Sequence, residues 1–217
     1  MHLYNSEKYP NLLTDIPITA RDFAMQIKDY KLEFLPDHSE IVEWKMKLPM
    51  FVDSFYSLVL SEIRIPSQQE FIEHYLNGLN HSSYPNISFT PEIMSGIKAR
   101  GFRAYPSLVR DVVFNKYVEQ HLTDFNVKYN IKLDVEEGID MLLEDTNRHY
   151  WGVCLYTNTK RGYLGRTKKE YRHILFENVN YVEMPVDFKG SLKWGDFFLY
   201  EKKELNELKN ILAHEQK

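Results

Sequence analysis

The sequence predicts a mixed α/β core of the α+β kind, a central mixed sheet with flanking helices, preceded by an all-helical N-terminal region. Three observations carry this. Up to residue 89 every apolar run has helical spacing or length. Beyond residue 124 short runs rich in β-branched and aromatic residues are broken by polar turns. From residue 105 the order is helix, three strands, helix, two strands, helix, which suits a mixed sheet rather than a bundle. The boundaries that follow are 1–89 for the helical region and 90–217 for the α/β core.

Taken in order, residues 1–19 carry Pro10 and Pro17 and read as an irregular arm. A helix is expected over 19–34, with Thr19 as N-cap and Pro36 beyond its end. The apolar stretch 38–65 reads as helix broken at Pro49, with a second helix from about 50 to 62. Its core face would hold Ile41, Trp44, Met50, Phe51, Phe55, Leu58 and Val59. Ser67 and Glu70 have capping-box spacing at the head of a helix over 65–79, with Phe71, Ile72, Tyr75 and Leu76 on its apolar stripe and Gly78 as its stop. Residues 80–91 read as a linker.

A short helix is expected over 90–101 and a longer one over 105–122, with Pro106 in the tolerated first turn. Strands are expected over 125–133, 138–144 and 150–159, with DVEE and DTNRH as turns between them. A helix over 168–176, strands over 180–188 and 194–201, and an amphipathic helix over 202–215 complete the chain.

Composition narrows the function. Hydrophobic residues make up 43% of the 217, enough for a packed core, and the single cysteine, Cys154, excludes a disulfide framework and a cysteine-built zinc site. No apolar run is long enough for a membrane helix and no signal peptide is legible, so the expected setting is cytoplasmic and away from membranes. The net charge of −4 hides an asymmetry: residues 160–173 carry +5 and the rest −9. A basic island on an acidic chain suits local capture of phosphate groups; its plain alternative is a solvated helix face.

Several residues carry candidate chemistry. In GIDMLLE, alternation puts Ile139, Met141 and Leu143 on one face and Asp140, Leu142 and Glu144 on the other. An ionised Asp140 among apolar neighbours needs a cation or hydrogen-bond donors. It is either a metal ligand or tied to nearby backbone or an arginine. Asp111 shares a helix face with Leu108, Val112, Val118 and Leu122, and is either a second ligand or a partner of Arg172 or of Arg110's neighbours. Arg110 reads as structural or phosphate-binding. Lys160, Arg161, Arg166, Lys168, Lys169 and Arg172 can neutralise phosphates, with Gly162 and Gly165 permitting close backbone approach and Tyr163 and Tyr171 available for stacking. His173 is either structural or a general acid. Nucleotide-binding glycine motifs, a GxSxG elbow and HExxH are absent.

The order of elements, with Asp140 on the second strand, resembles the PD-(D/E)XK, or restriction-endonuclease-like, nuclease superfamily over roughly residues 105–200. The resemblance implies a restriction-endonuclease-like core and hydrolysis of phosphodiester bonds, in DNA rather than RNA, with Mg2+ or Mn2+. Asp140, with Asp111, would hold the metal. Lys160 or Lys169 would polarise the water or the scissile phosphate, with His173 assisting. Arg110, Arg161, Arg166, Lys168 and Arg172 would grip the nucleic acid. It also implies a homo-oligomer or a protein partner at the N-terminal helices, and a place in defence against mobile DNA. The third strand departs from the family: Cys154, Tyr156 and Asn158 stand where an acid and a lysine are expected, and Lys160 continues their parity. That departure favours a second reading, a non-catalytic nucleic-acid-binding or assembly subunit that keeps the nuclease fold. A third is an RNA-cleaving toxin that uses Arg172 and His173 without metal.

Overall fold

Polar caps and apolar stripes set the N-terminal helices. The computed structural model describes residues 2–13, 16–36, 39–46, 48–81, 89–160, 162–163, 175–188 and 191–215. Thr19 caps α1 (Ala20–Ile27) through a full capping box with Asp22. The helix ends at Ile27, well short of residue 34. A π-helical turn (Ile41–Lys45) follows, and α2 (Phe51–Glu62) starts after Pro49 as expected. Phe55 and Val59 are buried, but Ile41 and Met50, expected inside, are exposed. In α3 (Gln68–His81) the Ser67–Glu70 box is present, the Ser67 N–H donating to Glu70 at 2.7 Å. Gly78 does not stop α3, which runs one further turn.

The two helices expected over 90–101 and 105–122 are one, α4 (Pro91–His121), with Pro106 inside it. Proline removes the N–H that would bond the Phe102 carbonyl. That carbonyl instead accepts a hydrogen bond from the buried Gln68 side chain at 3.0 Å. Gly101, which looked like a terminus, is a packing site: a Cβ there would meet the Ile72 side chain of α3.

The sheet follows. β1 (Phe125–Lys128) pairs antiparallel with β2 (Met141–Asp145), β2 pairs antiparallel with β3 (Tyr150–Thr157), and β3 pairs parallel with β4 (Val179–Val186). This is a four-stranded mixed sheet in the order β1-β2-β3-β4; the strand directions are those expected, but the expected DVEE turn between β1 and β2 is part of a helix. The expected strand 125–133 is corrected. After Lys128, Asn130 caps a short helix, α5 (Ile131–Glu137), which Gly138 ends in the left-handed conformation at φ 69°. Asparagine before and glycine after outweigh the strand-like run NIKL. The expected strand 194–201 is also corrected. It turns at Gly195 and Asp196 into a two-stranded hairpin, β5 (Leu192–Trp194) with β6 (Phe197–Leu199). The closing helix α6 (Lys202–Glu215) forms as expected. Nearly all of the expected helix 168–176 lies outside the described residues.

Two clusters position the sheet. Met141, Leu143, Val153, Val182, Met184 and Val186 pack on one face against Phe114 and Val118 of α4 and Leu205, Leu208 and Leu212 of α6. Leu142 and Val179 face the other side, with Tyr4 and Tyr9 of the N-terminal arm, Leu133 and Phe176. Ile139 belongs to this second side rather than with Met141 and Leu143, because the chain turns out of α5 there and regular alternation starts only at Met141. The largest cluster joins α1, α2 and α3 to α4, Tyr129, Phe197 and Leu199.

Candidate functional site at the head of the second strand

Asp140 lies one residue before β2 and is buried. Its N–H donates to the Val153 carbonyl at 3.0 Å, and its Oδ2 accepts the Leu155 N–H at 2.7 Å. Leu155 lies beyond the last registered pair, Met141 with Val153. The carboxylate thus supplies an acceptor where the ladder supplies none, at a site where a bare N–H would be costly. This hydrogen bond answers part of the cost of burying Asp140 and is one of the two expectations for it. A carboxylate can accept an N–H on one oxygen and meet a cation on the other.

Asn115 sets the position of Asp140 against α4. Its side chain is fully buried, and Nδ2 donates to the Asp111 carbonyl at 2.9 Å and the Asp140 carbonyl at 3.3 Å. One amide therefore ties the helix carrying Asp111 to the chain carrying Asp140. Its Oδ1 has no hydrogen-bond partner among the described residues. Sequence reading missed Asn115; a polar residue within the inward run VVFNKYV was the available signal.

Two buried phenols register the nearby charges. Tyr56 is pushed well above its ordinary pKa, first by burial and then by Asp134, Asp111 and Asp140. Tyr200 is also raised, by burial first; Arg110 opposes this, while Asp111, Glu204 and Asp140 add to it. Asp111 and Asp140 thus act on the same two hydroxyls, from a helix and a strand far apart in sequence. Both tyrosines stay neutral at physiological pH and can act only as dipoles or walls.

One step beyond the last registered β2–β3 pair, Asp140 stands across from Cys154, and Cys154 is registered with Glu183 of β4. At about 4.8 Å per strand, the Cα atoms of Asp140 and Glu183 are roughly 10 Å apart. The buried thiol of Cys154 lies between them. Glu183 is exposed. It is the second residue sequence reading missed, because only the parallel β3–β4 register sets it in line with Asp140.

The basic segment begins just past β3. The Gly162 N–H donates to Thr159 Oγ1 at 3.1 Å, and the Tyr163 N–H to the Thr159 carbonyl at 3.0 Å. A Cβ on Gly162 would meet the Thr157 carbonyl at 2.0 Å, so this turn packs closely on the end of β3. Tyr163 packs edge-on against Tyr156 at 5.3 Å, and Lys160 is exposed. Arg161, Arg166, Lys168, Lys169, Arg172 and His173 lie outside the described residues.

Arg110 is buried, and its guanidinium lies 4.3 Å from the Phe188 ring centroid and 5.3 Å from that of Tyr200. A small hard cation takes one or two carboxylates plus waters; Asp140 and Asp111 are the candidate carboxylates here, brought near each other through their main chains by Asn115. Among the described residues no three His, Cys, Asp or Glu side chains converge tightly enough to hold a metal by themselves. No helix among them is long and apolar enough to cross a membrane. Comparison with protein-family models, curated proteins and solved structures found no match for this chain.

Proposed function

We propose that this protein is a metal-dependent nuclease with a restriction-endonuclease-like core, hydrolysing phosphodiester bonds in nucleic acid, DNA in preference to RNA. The observation that carries this reading is the linkage of Asp111 and Asp140 through Asn115. The link runs through the main-chain carbonyls of both residues, beside a sheet whose strand order and directions are those the resemblance implies, with α5 inserted between β1 and β2. A bound Mg2+ or Mn2+ would supply Lewis-acid polarisation of a phosphoryl oxygen and a more acidic water. Asp140 and Asp111 would hold it. The Leu155 N–H orients the Asp140 carboxylate. Asn115 Oδ1 is an acceptor suited to a proton of a bound water. Lys160 and the lysines that follow it bring positive charge to the phosphate. Glu183 is the acid that would stand in for the one absent from β3. A role in defence against mobile DNA belongs to the same proposal.

The test is cleavage of plasmid and oligonucleotide substrates with Mg2+ or Mn2+, with EDTA as control. Cutting that needs metal and disappears in Asp140→Asn supports the reading. Cutting that persists in EDTA would point to metal-free chemistry at Arg172 and His173.

Cys154 carries a second reading. A buried thiol where an acid is expected fits a subunit that keeps the fold and binds nucleic acid without cutting it. Salt-sensitive binding with no cleavage at any metal concentration would support it over the first.

A further inference from the structure

The β5–β6 hairpin points a cation and an aromatic ring outward side by side. Lys193 is registered with Phe198, its Nζ lies 5.9 Å from the Phe198 ring centroid, and Phe198 is 41% exposed. Phe198 packs at 6.2 Å against Phe188, which follows β4. Phe188 stacks parallel to Tyr200 at 6.3 Å and carries the Arg110 guanidinium on its face. Lys193, Phe198, Phe188 and Arg110 therefore form one chain of contacts that ends at the neighbour of Asp111.

Arg110 is the informative member. Only 8% of it is exposed, its Nε is buried without a hydrogen-bond partner, and among the described residues it makes no ion pair. A buried Nε–H without an acceptor is costly. The rings offset part of this through cation–π attraction but accept no N–H bond. An anionic oxygen would. The acids nearest the hairpin are already engaged: Glu201 accepts the Trp194 indole N–H, Asp196 the Leu32 N–H, and Glu204 the Glu201 N–H. Asp187, beside Phe188, is exposed.

We propose that this strip seats an unpaired strand of nucleic acid, with a base stacked on the exposed Phe198 ring and phosphates met by Lys193 and Arg110. Duplex bases are already stacked on each other, so an exposed ring beside a cation favours a single strand or a frayed end. This deepens the nuclease reading by naming the substrate class, and it rests on that reading for the polyanion.

The test is binding rather than cutting. Full-length wild-type protein in EDTA is titrated with labelled twelve-residue oligothymidylate, with oligouridylate, and with a blunt duplex of the same length. Single strands are expected to bind more tightly than the duplex, with the DNA and RNA arms showing which backbone is preferred. Phe198→Ala is expected to weaken single-strand binding about tenfold, Phe198→Trp to restore it, and Arg110→Gln to weaken it and flatten the salt dependence. Melting curves check that each variant is folded; exposed Phe198 keeps the test decisive if Arg110→Gln is not. Equal affinity for duplex and single strand, or an unchanged Phe198→Ala, overturns the proposal. Metal-dependent cutting of duplex with a silent strip leaves the nuclease reading standing alone. Single-strand binding through the strip with no cutting does the reverse.

Discussion

Strands β2, β3 and β4 present Met141, Leu143, Val153, Val182, Met184 and Val186 to one side, and Leu142, Glu144, Tyr150, Cys154, Tyr181 and Glu183 to the other. The first side is closed by α4 and α6 with apolar groups. The second carries carboxylates, phenols and a thiol, with aromatic residues of the N-terminal arm packed along it. Tyr181 on this side has its pKa raised to about 12, chiefly by burial. Period-two alternation makes both sides from the same residues. The dry side holds the sheet to its helices. The polar side is where buried charge is tolerated, and so where chemistry can be placed at some cost in stability.

The sharpest way to break this contrast is Asp140→Asn. Asparagine keeps an acceptor for the Leu155 N–H, so the melting temperature should barely change. Metal-dependent cleavage should fall about a thousandfold, roughly 4 kcal/mol of transition-state stabilisation. A large loss of stability with retained cleavage would reduce Asp140 to a structural role. Leu143→Ala, on the dry side, should behave in the opposite way. It leaves a cavity in a closed core and should cost about 3 kcal/mol in urea unfolding, with specific activity of the folded fraction unchanged.

Asn115→Ala probes the joint between the two. Both carbonyls it serves lose a donor, at about 1–2 kcal/mol, and cleavage should drop more than stability predicts because Asp111 and Asp140 lose their tie. Comparing kcat with the melting temperature separates the two effects. The smallest effect concerns pH. Burial raises the Glu144 pKa, but the hydrogen bond and charge of Lys128, with Tyr150 and Asn126, win and hold it below its ordinary value. A carboxylate with a depressed folded pKa contributes stability above its unfolded pKa of about 4.3 and loses it as pH falls through the folded value. Lys128→Met should therefore flatten the decline of stability below about pH 4, by less than about 1 kcal/mol, as read from melts across an acid series.

Much of this was legible in the residues. Thr19, Ser67 and Glu70 announced their caps, Pro49 its break, and the run from Lys202 its amphipathic helix, because each signal is local and acts within one turn. Errors arose where a local signal was overruled from a distance. Pro106 reads as the first turn of a new helix, but it lies inside α4, where Gln68 of another helix satisfies the carbonyl it strands. Asn130 and Gly138 enclose a helix that the apolar pattern of residues 125–133 had hidden. Asp140 stood out as a carboxylate in an apolar run. Its Leu155 hydrogen bond, the Asn115 tie to Asp111 and the alignment with Glu183 depend on register, which no single strand encodes.

The sequence by itself determined the alternation of helical and strand segments, the basic island after the third strand, and the presence of Asp140 and Asp111 as charges in apolar settings. These follow from side-chain chemistry and short-range periodicity. Only the tertiary structure decided that one amide joins the main chains at Asp111 and Asp140, that a thiol and Glu183 occupy the row beside Asp140, and that Arg110 is buried against Phe188 and Tyr200. Those juxtapositions come from pairing and packing between residues up to 90 positions apart in Arg110 and Tyr200, where chain connectivity carries no information and burial of the two faces of the sheet sets the geometry.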